Sequence, residues 1–126
     1  MMRFRKSHSM TELFRIVCRM KSGLRDTTFR DGQQSRAPYS TEQIVTLYDY
    51  FHRLGGPKGK IRQCEFFLYS KKDRDAVYKC LERGYKFPEV TSWIRASKQD
   101  FQLVKDIGLR ETGILVAALT TIFSIR

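Results

Sequence analysis

Apolar residues recur at helical spacing in three segments of the chain, and each segment carries its own start and stop signals. The first begins with a capping box, in which Ser40 accepts a hydrogen bond from a first-turn N–H group and Gln43 reaches back. Its predicted end is Gly55-Gly56-Pro57, because Gly tolerates a left-handed conformation and Pro cannot continue a helix. Its predicted apolar face consists of Ile44, Leu47, Tyr48, Phe51 and Leu54.

Two further segments predict shorter helices of the same kind. The second begins after Ser70, carries Asp73 and Asp75 where acids suit the helix dipole, and stops at Gly84. The third begins at Ser97 and stops at Gly108. Their predicted apolar stripes are Val77, Cys80 and Leu81 in the second helix, and Phe101, Val104 and Ile107 in the third.

Segments rich in β-branched and aromatic residues alternate with these helices and predict four strands, at 24–29, 61–68, 89–96 and 112–117. This alternation predicts an α/β fold built from parallel βα repeats. Right-handed crossovers bring the carboxyl end of every strand to one edge of the sheet, where such folds bind ligands. The residues expected at that edge are 30–35, Tyr69, Ser70, 95–97 and those beyond Ala117.

The charge of the chain is unevenly distributed. The 126 residues carry a formal net charge of +11, and the first 25 contain seven Lys or Arg against one acid, Glu12. We expect residues 1–21 to be a poorly ordered basic tail. The open alternatives are an organelle transit peptide and a flexible arm that contacts anions.

Composition excludes several classes of protein. The chain is 41% hydrophobic and 13% aromatic, which argues against wholesale disorder, and its three Cys form no C-x-x-C pair. The longest uncharged run, 112–125, is shorter than the roughly 20 apolar residues of a membrane helix. We therefore expect reduced thiols, a cytoplasmic location and no membrane partner. No nucleic-acid partner is expected either, because the chain has no helix-turn-helix, zinc knuckle or RNP-type motif.

Candidate chemistry is concentrated in residues 26–35, at the predicted exit of the first strand. Asp31 is a hard oxygen donor suited to Mg²⁺, Mn²⁺ or Zn²⁺. Arg30 is suited to stabilise negative charge that develops on a carbonyl oxygen. The alternative interpretation is a polar turn that contains an Arg–Asp ion pair.

The string Asp26-Thr27-Thr28-Phe29-Arg30-Asp31-Gly32-Gln33-Gln34-Ser35 resembles a family signature, D-T-T-L-R-D-G-x-Q, from which only Phe29 departs. The family is the metal-dependent pyruvate-carboxyltransferase-like (HMG-CoA lyase-like) barrels, which include 2-isopropylmalate synthase and homocitrate synthase. The resemblance extends over about residues 24–116. It implies that 22–117 form the N-terminal half of a (β/α)₈ TIM barrel, with about four strands and three helices.

The resemblance also implies roles for five residues by position. Arg30 matches the catalytic Arg that stabilises an enolate-like oxygen, and Asp31 matches the carboxylate that binds the divalent metal. Gln34, Glu65 and Arg95 match positions near the substrate. For Arg95, a surface Arg at the start of a helix is an equally weighted alternative.

The implied reaction is a Claisen-type condensation between an acyl-CoA and a 2-oxo acid, the two expected small-molecule partners. The alternatives are a carboxyltransferase acting on pyruvate, an HMG-CoA-type lyase, and a non-catalytic basic module that binds anions.

Two departures from the family modify these expectations. The family completes its metal site with a His-x-His pair, whereas the only histidines here are His8 and His52, so we expect the metal site to be incomplete. The chain has about half of the roughly 250 residues of a full barrel, and 118–126 form an apolar, divergent tail. Truncation, a shifted reading frame or divergence would each explain this. We expect the chain to be inactive alone. We also expect it to be marginally stable or to aggregate, unless it forms a homo-oligomer or is complemented by the missing half-barrel.

Overall fold

A computed structural model describes residues 23–115. The predicted tails over 1–21 and 118–126 lie outside the described residues, as do positions 116 and 117 of the fourth predicted strand. The described segment contains four strands, three α-helices and one 3₁₀ turn, Asp31–Gln33. In chain order they are β1 (Leu24–Asp26), α1 (Thr41–Gly55), β2 (Ile61–Phe66), α2 (Lys71–Glu82), β3 (Glu89–Arg95), α3 (Lys98–Ile107) and β4 (Thr112–Leu115).

The four strands form one parallel sheet in the order β1-β2-β3-β4, so each strand pairs with the next one along the chain. Each crossover contains one helix, and right-handed crossovers in a sheet that grows in one direction place all the helices on the same face. This arrangement is the half of a barrel that the sequence predicts, and the α/β class is confirmed. Within residues 23–115, β1 and β4 are the edge strands of the sheet, because each pairs with another strand on one side only.

The helices begin and end where the local signals predict. Ser40 and Gln43 form the predicted capping box, and Ser70 and Asp73 form a second one. Ser97 accepts a hydrogen bond from the backbone N–H of Asp100 at the start of α3. Gly108 ends α3 at φ +81°, a conformation that Gly adopts without the steric cost of a side chain.

The core lies between the helices and the face of the sheet that they cover. Phe29 stacks on Phe66 with 4.8 Å between ring centres, and Tyr48 approaches the same ring edge-on at 6.3 Å. The buried Tyr48 hydroxyl donates to the carbonyl of Pro88 at 2.6 Å, so its polar end is satisfied. The buried apolar residues are Phe29, Ile44, Val45, Tyr48, Ile61, Cys64, Phe66, Leu68, Ala76, Val77, Cys80, Val90, Ile94, Val104 and Ile107.

Two core thiols show how apolar this layer is. Burial raises the pKa of Cys80 to about 12, and burial also raises the pKa of Cys64 above its usual range. Both thiols are free and buried, so they act as small apolar side chains.

The predicted first strand is too long at its carboxyl end. β1 ends at Asp26, because the carboxylate of Asp26 accepts hydrogen bonds from the Thr28 backbone N–H at 3.1 Å and the Thr28 hydroxyl at 2.8 Å. This side-chain-to-backbone bond turns the chain out of the sheet. Phe29 follows the turn and is buried in the core.

Three residues assigned to apolar helix faces are exposed, namely Leu54, Leu81 and Phe101. Each lies roughly 100° around its helix from the centre of the buried face, given 3.6 residues per turn. They therefore flank the packed stripe. Within the described segment, no helix is long and apolar enough to cross a membrane.

Candidate functional site

The predicted site residues lie at the carboxyl edge of the sheet, on the turn after β1 and at the ends of β2 and β3. The turn is braced by Gln33, whose amide nitrogen donates to the carbonyl of Phe29 at 2.6 Å. The amide oxygen of Gln33 accepts from the backbone N–H of Tyr39 at 2.9 Å. One side chain thus connects both ends of the loop that presents Arg30, Asp31 and Gln34.

Glu65 is the centre of the site. Side chains alternate along a strand, so Glu65 lies on the face of the sheet opposite Cys64 and Phe66. Its carboxylate is 3% exposed and accepts from Arg30 Nε at 2.8 Å and from an Arg25 guanidinium nitrogen at 3.1 Å. The buried charge is compensated by two cations, as a buried carboxylate requires.

Three groups hold the guanidinium of Arg30, whose side chain is 17% exposed. Besides the bond to Glu65, Arg30 pairs with Asp31 Oδ2 at 3.0 Å. Its Cζ also lies 4.5 Å from the centre of the Trp93 ring, within cation–π range. A Cβ at Gly113 would overlap this indole, so glycine allows Trp93 to lie across β4.

Trp93 is a site residue that sequence reasoning did not assign. The available signal was alternation along β3, which places Trp93 on the same face as Thr91, the register partner of Glu65.

Asp31 is the accessible carboxylate of the cluster, whereas Glu65 is buried. Its side chain is 47% exposed, and Gln34 donates to Asp31 Oδ1 at 3.4 Å. The Arg–Asp ion pair of the alternative interpretation is therefore present. It coexists with the Glu65 and Trp93 contacts of Arg30, which a simple polar turn would not require.

The structure places Arg95 in a separate group. Its guanidinium binds both oxygens of Asp100, at 3.1 and 3.2 Å, and lies 5.1 Å from the ring centre of Tyr69. The Tyr69 hydroxyl donates to Asp100 at 3.0 Å. Hydrogen bonds from Arg95 lower the pKa of Asp100 to about 2, and the same bonds raise the pKa of Arg95. The predicted role of Arg95 in substrate binding stays a prediction.

The described residues match one ligand position of a metal site. Asp31 has an accessible carboxylate, whereas both oxygens of Glu65 are occupied by arginines. Residues 23–115 contain no group of three His, Cys, Asp or Glu arranged to hold an ion. His52 stacks on Tyr85 at 3.7 Å between ring centres and bonds to the Phe87 carbonyl, which precedes β3 at its amino end.

Three curated relatives match the chain. It is 62% identical over 92 residues to the citrate (Re)-synthase of Clostridium kluyveri and 60% identical over 92 residues to that of Syntrophus aciditrophicus. It is 43% identical over 94 residues to the 2-phosphinomethylmalate synthase of Streptomyces hygroscopicus. Each match covers 73% of this chain.

These relatives are members of the pyruvate-carboxyltransferase-like family, and the matched part of the chain is homologous to them. The resemblance of the turn after β1 to this family is thereby confirmed. The matches cover 20%, 15% and 21% of the three relatives, so the chain spans about a fifth of their length. No family model and no solved structure matches it.

Proposed function

We propose that this chain supplies the amino-terminal half of a divalent-metal-dependent acyltransferase barrel of the pyruvate-carboxyltransferase-like family. The reaction is the condensation of an acyl-CoA with a 2-oxo acid, followed by thioester hydrolysis that releases CoA. The observation that carries the proposal is the fixed guanidinium of Arg30 beside Asp31, in a segment 62% identical to a citrate (Re)-synthase.

Arg30 is suited to stabilise the oxygen that gains negative charge during condensation. Its position is set before substrate binds, because Glu65 and Trp93 hold it from two sides. A preorganised donor of this kind needs no reorientation when charge develops, which is the physical basis of oxyanion stabilisation. Glu65 acts as a positioning residue, since both of its oxygens are occupied by arginines.

Asp31 is the proposed ligand for the divalent cation, and the remaining ligands come from residues beyond those described. The bound cation would polarise the carbonyl of the 2-oxo acid. Gln34 extends the polar surface beside Asp31, where its amide can orient a carboxylate or carbonyl oxygen of the substrate.

The relatives support condensation over the other reactions of the family. All three are named as synthases, two of citrate and one of 2-phosphinomethylmalate. Condensation therefore ranks ahead of the carboxyltransferase and lyase alternatives. Since the chain spans about a fifth of these proteins, we propose that the other half-barrel completes the site.

A chimera tests this proposal directly. The matched 92 residues of the Clostridium kluyveri citrate (Re)-synthase are replaced by the corresponding residues of this chain, and citrate formation is measured. We expect the chimera to be active. Asp31→Asn and Arg30→Gln should each lower kcat by about 10²-fold or more, the usual effect of removing one preorganised electrostatic group.

The matched controls are Asp75→Asn and Arg53→Gln, which change the same charges on the exposed sides of α2 and α1. Both should leave citrate formation unchanged. A chimera that folds, as judged by its circular dichroism, and forms no citrate would overturn the proposal. So would full activity in Asp31→Asn.

A further inference from the structure

A cavity lies at the amino ends of the strands, away from Arg30 and Asp31. It has a volume of about 650 Å³ and is lined by the first residues of β2 and β3 and by the loop before β4. A strand of six residues rises about 3.3 Å per residue, so the amino ends of the strands lie roughly 20 Å from their carboxyl ends, where Arg30 and Asp31 lie. Small-molecule sites commonly have volumes in the range of about 300–1,000 Å³.

Aromatic side chains form one wall of this cavity. Tyr85 and Phe87 both line it. Tyr85 stacks on His52, and its hydroxyl donates to Asp49 at 3.0 Å. This wall is therefore held in place by α1.

Three cationic residues, Arg62, Lys86 and Arg110, line the cavity, together with one acid, Glu89. Arg62 Cζ lies 4.7 Å and Lys86 Nζ lies 5.6 Å from the centre of the Phe87 ring. Among the ion pairs of residues 23–115, none includes any of these four side chains. Like charges gathered at one concavity repel each other, and a bound anion removes that repulsion.

Arg62 has little freedom to move away from this position. A Cβ at Gly23 would overlap the aliphatic part of the Arg62 side chain, so that part lies directly against the Gly23 backbone. Its guanidinium lies over Phe87 at the other end. The cationic group is thus held at the cavity before any ligand binds, which lowers the entropic cost of binding.

We propose that this cavity binds a small organic anion that carries at least two negative charges. Arg62, Lys86 and Arg110 bind its phosphate or carboxylate groups, and the nonpolar part of the ligand packs against Phe87. The site is separate from the proposed active site, so its ligand does not compete with the substrates there.

Isothermal titration calorimetry on the full chain tests this inference, with pyrophosphate and tricarballylate as the two probes. The titrations are made at about 0.15 M salt, where long-range attraction between exposed charges is largely screened. We expect saturable binding of at least one probe, and the tighter probe identifies phosphate or carboxylate as the preferred group. Arg110→Ser and Arg62→Ser should each weaken this binding about tenfold or more.

Lys105→Ser is the matched control, because it removes an exposed charge from α3 outside the cavity and should leave the affinity unchanged. Arg62→Lys keeps the charge and should retain part of the affinity. Because Arg110 is exposed, Arg110→Ser should leave the fold intact. A loss of affinity in this variant therefore reports on the cavity and not on unfolding.

Absence of saturable binding by both probes, or equal affinities in the wild type and Arg110→Ser, would overturn the inference. Binding abolished by Arg30→Gln and untouched by Arg110→Ser would overturn it too, since the anion would then occupy the proposed active site. That result would leave the proposed function intact.

Discussion

At the scale of single residues, Glu65 determines the geometry of the candidate site. Its carboxylate joins Arg25 of β1 to Arg30 of the following turn, and so connects three segments of the chain. The pairing also explains how a carboxylate that is 3% exposed is tolerated on the face of the sheet that no helix within residues 23–115 covers.

Replacing Glu65 should therefore affect both stability and the position of Arg30. In Glu65→Gln, the amide oxygen replaces one acceptor and the arginines lose their counter-charge. We expect a loss of about 2 kcal/mol in the free energy of unfolding, the range for hydrogen bonds to charged groups. Urea titration measures this loss. Trp93 is the only Trp of the chain, so its fluorescence should also change as Arg30 leaves the ring.

Glu42→Gln is the matched control for Glu65→Gln. Glu42 is exposed, and its partner Lys79 lies 3.9 Å away, so its replacement should lower the free energy of unfolding far less than Glu65→Gln does. Equal effects of the two substitutions would contradict the central role of Glu65.

At the scale of elements, the start of α3 combines a helix cap with an ion pair. Asp100 lies in the first turn, where its backbone N–H donates to Ser97 and its carboxylate binds Arg95. The negative charge is thus stabilised by a cation and by the amino end of the helix. This arrangement keeps the pKa of Asp100 at about 2.

The pH dependence of stability follows from the sign of this shift. A carboxylate with a depressed pKa in the folded state stabilises the protein above its unfolded pKa, about 3.9 for Asp. That contribution is lost as the pH falls from about 4 towards the folded value of about 2. Wild type and Asp100→Asn should therefore differ in urea midpoint at pH 6, and this difference should shrink steadily between about pH 4 and 2.

The difference between the two proteins isolates Asp100, because all the other carboxylates titrate in both. A difference in urea midpoint that stays constant from pH 6 to pH 2 would contradict the assignment.

The helices could be predicted from the sequence because their signals are local. Ser40 with Gln43 and the glycine at 108 act within a few residues of themselves, so the sequence alone defines the bounds of α1 and α3. The end of β1 depends on the turn that Asp26 makes with Thr28, a competing local bond that strand propensity does not include. The exposure of Leu54 depends on how much of the surface of α1 is covered by neighbouring elements, and the sequence of α1 alone does not determine this.

In the candidate site, too, the residues that are close in sequence could be predicted, whereas the contacts between distant residues could not. Arg30, Asp31 and Gln34 lie on one turn, so a short motif identifies them together. The ion pair between Arg30 and Glu65 joins residues 35 positions apart, and the contact with Trp93 also depends on the register of three strands. Arg95 pairs with Asp100, and this contact depends on where α3 begins after β3.

At the scale of the whole molecule, the described segment is a sheet with two open sides. Leu24 on β1 is 68% exposed, and Ile114 on β4 is 43% exposed. Exposed strand edges with apolar side chains pair readily with other chains. We therefore expect the isolated chain to self-associate through β1 and β4 when no other half-barrel is present.

Charged residues placed on these edges should reduce the association. Leu24→Lys combined with Ile114→Lys introduces two charges that oppose edge-to-edge pairing, since lysine on an edge strand is a common natural protection against it. Sedimentation velocity over a range of concentrations should show a shift towards monomer in this double variant. Leu54→Lys is the matched control, because Leu54 is 76% exposed on α1, away from both edges, and its replacement should leave the distribution unchanged. A wild-type chain that is a monodisperse monomer with a sharp thermal transition would contradict this expectation, because it would show that the open sheet is stable without a partner.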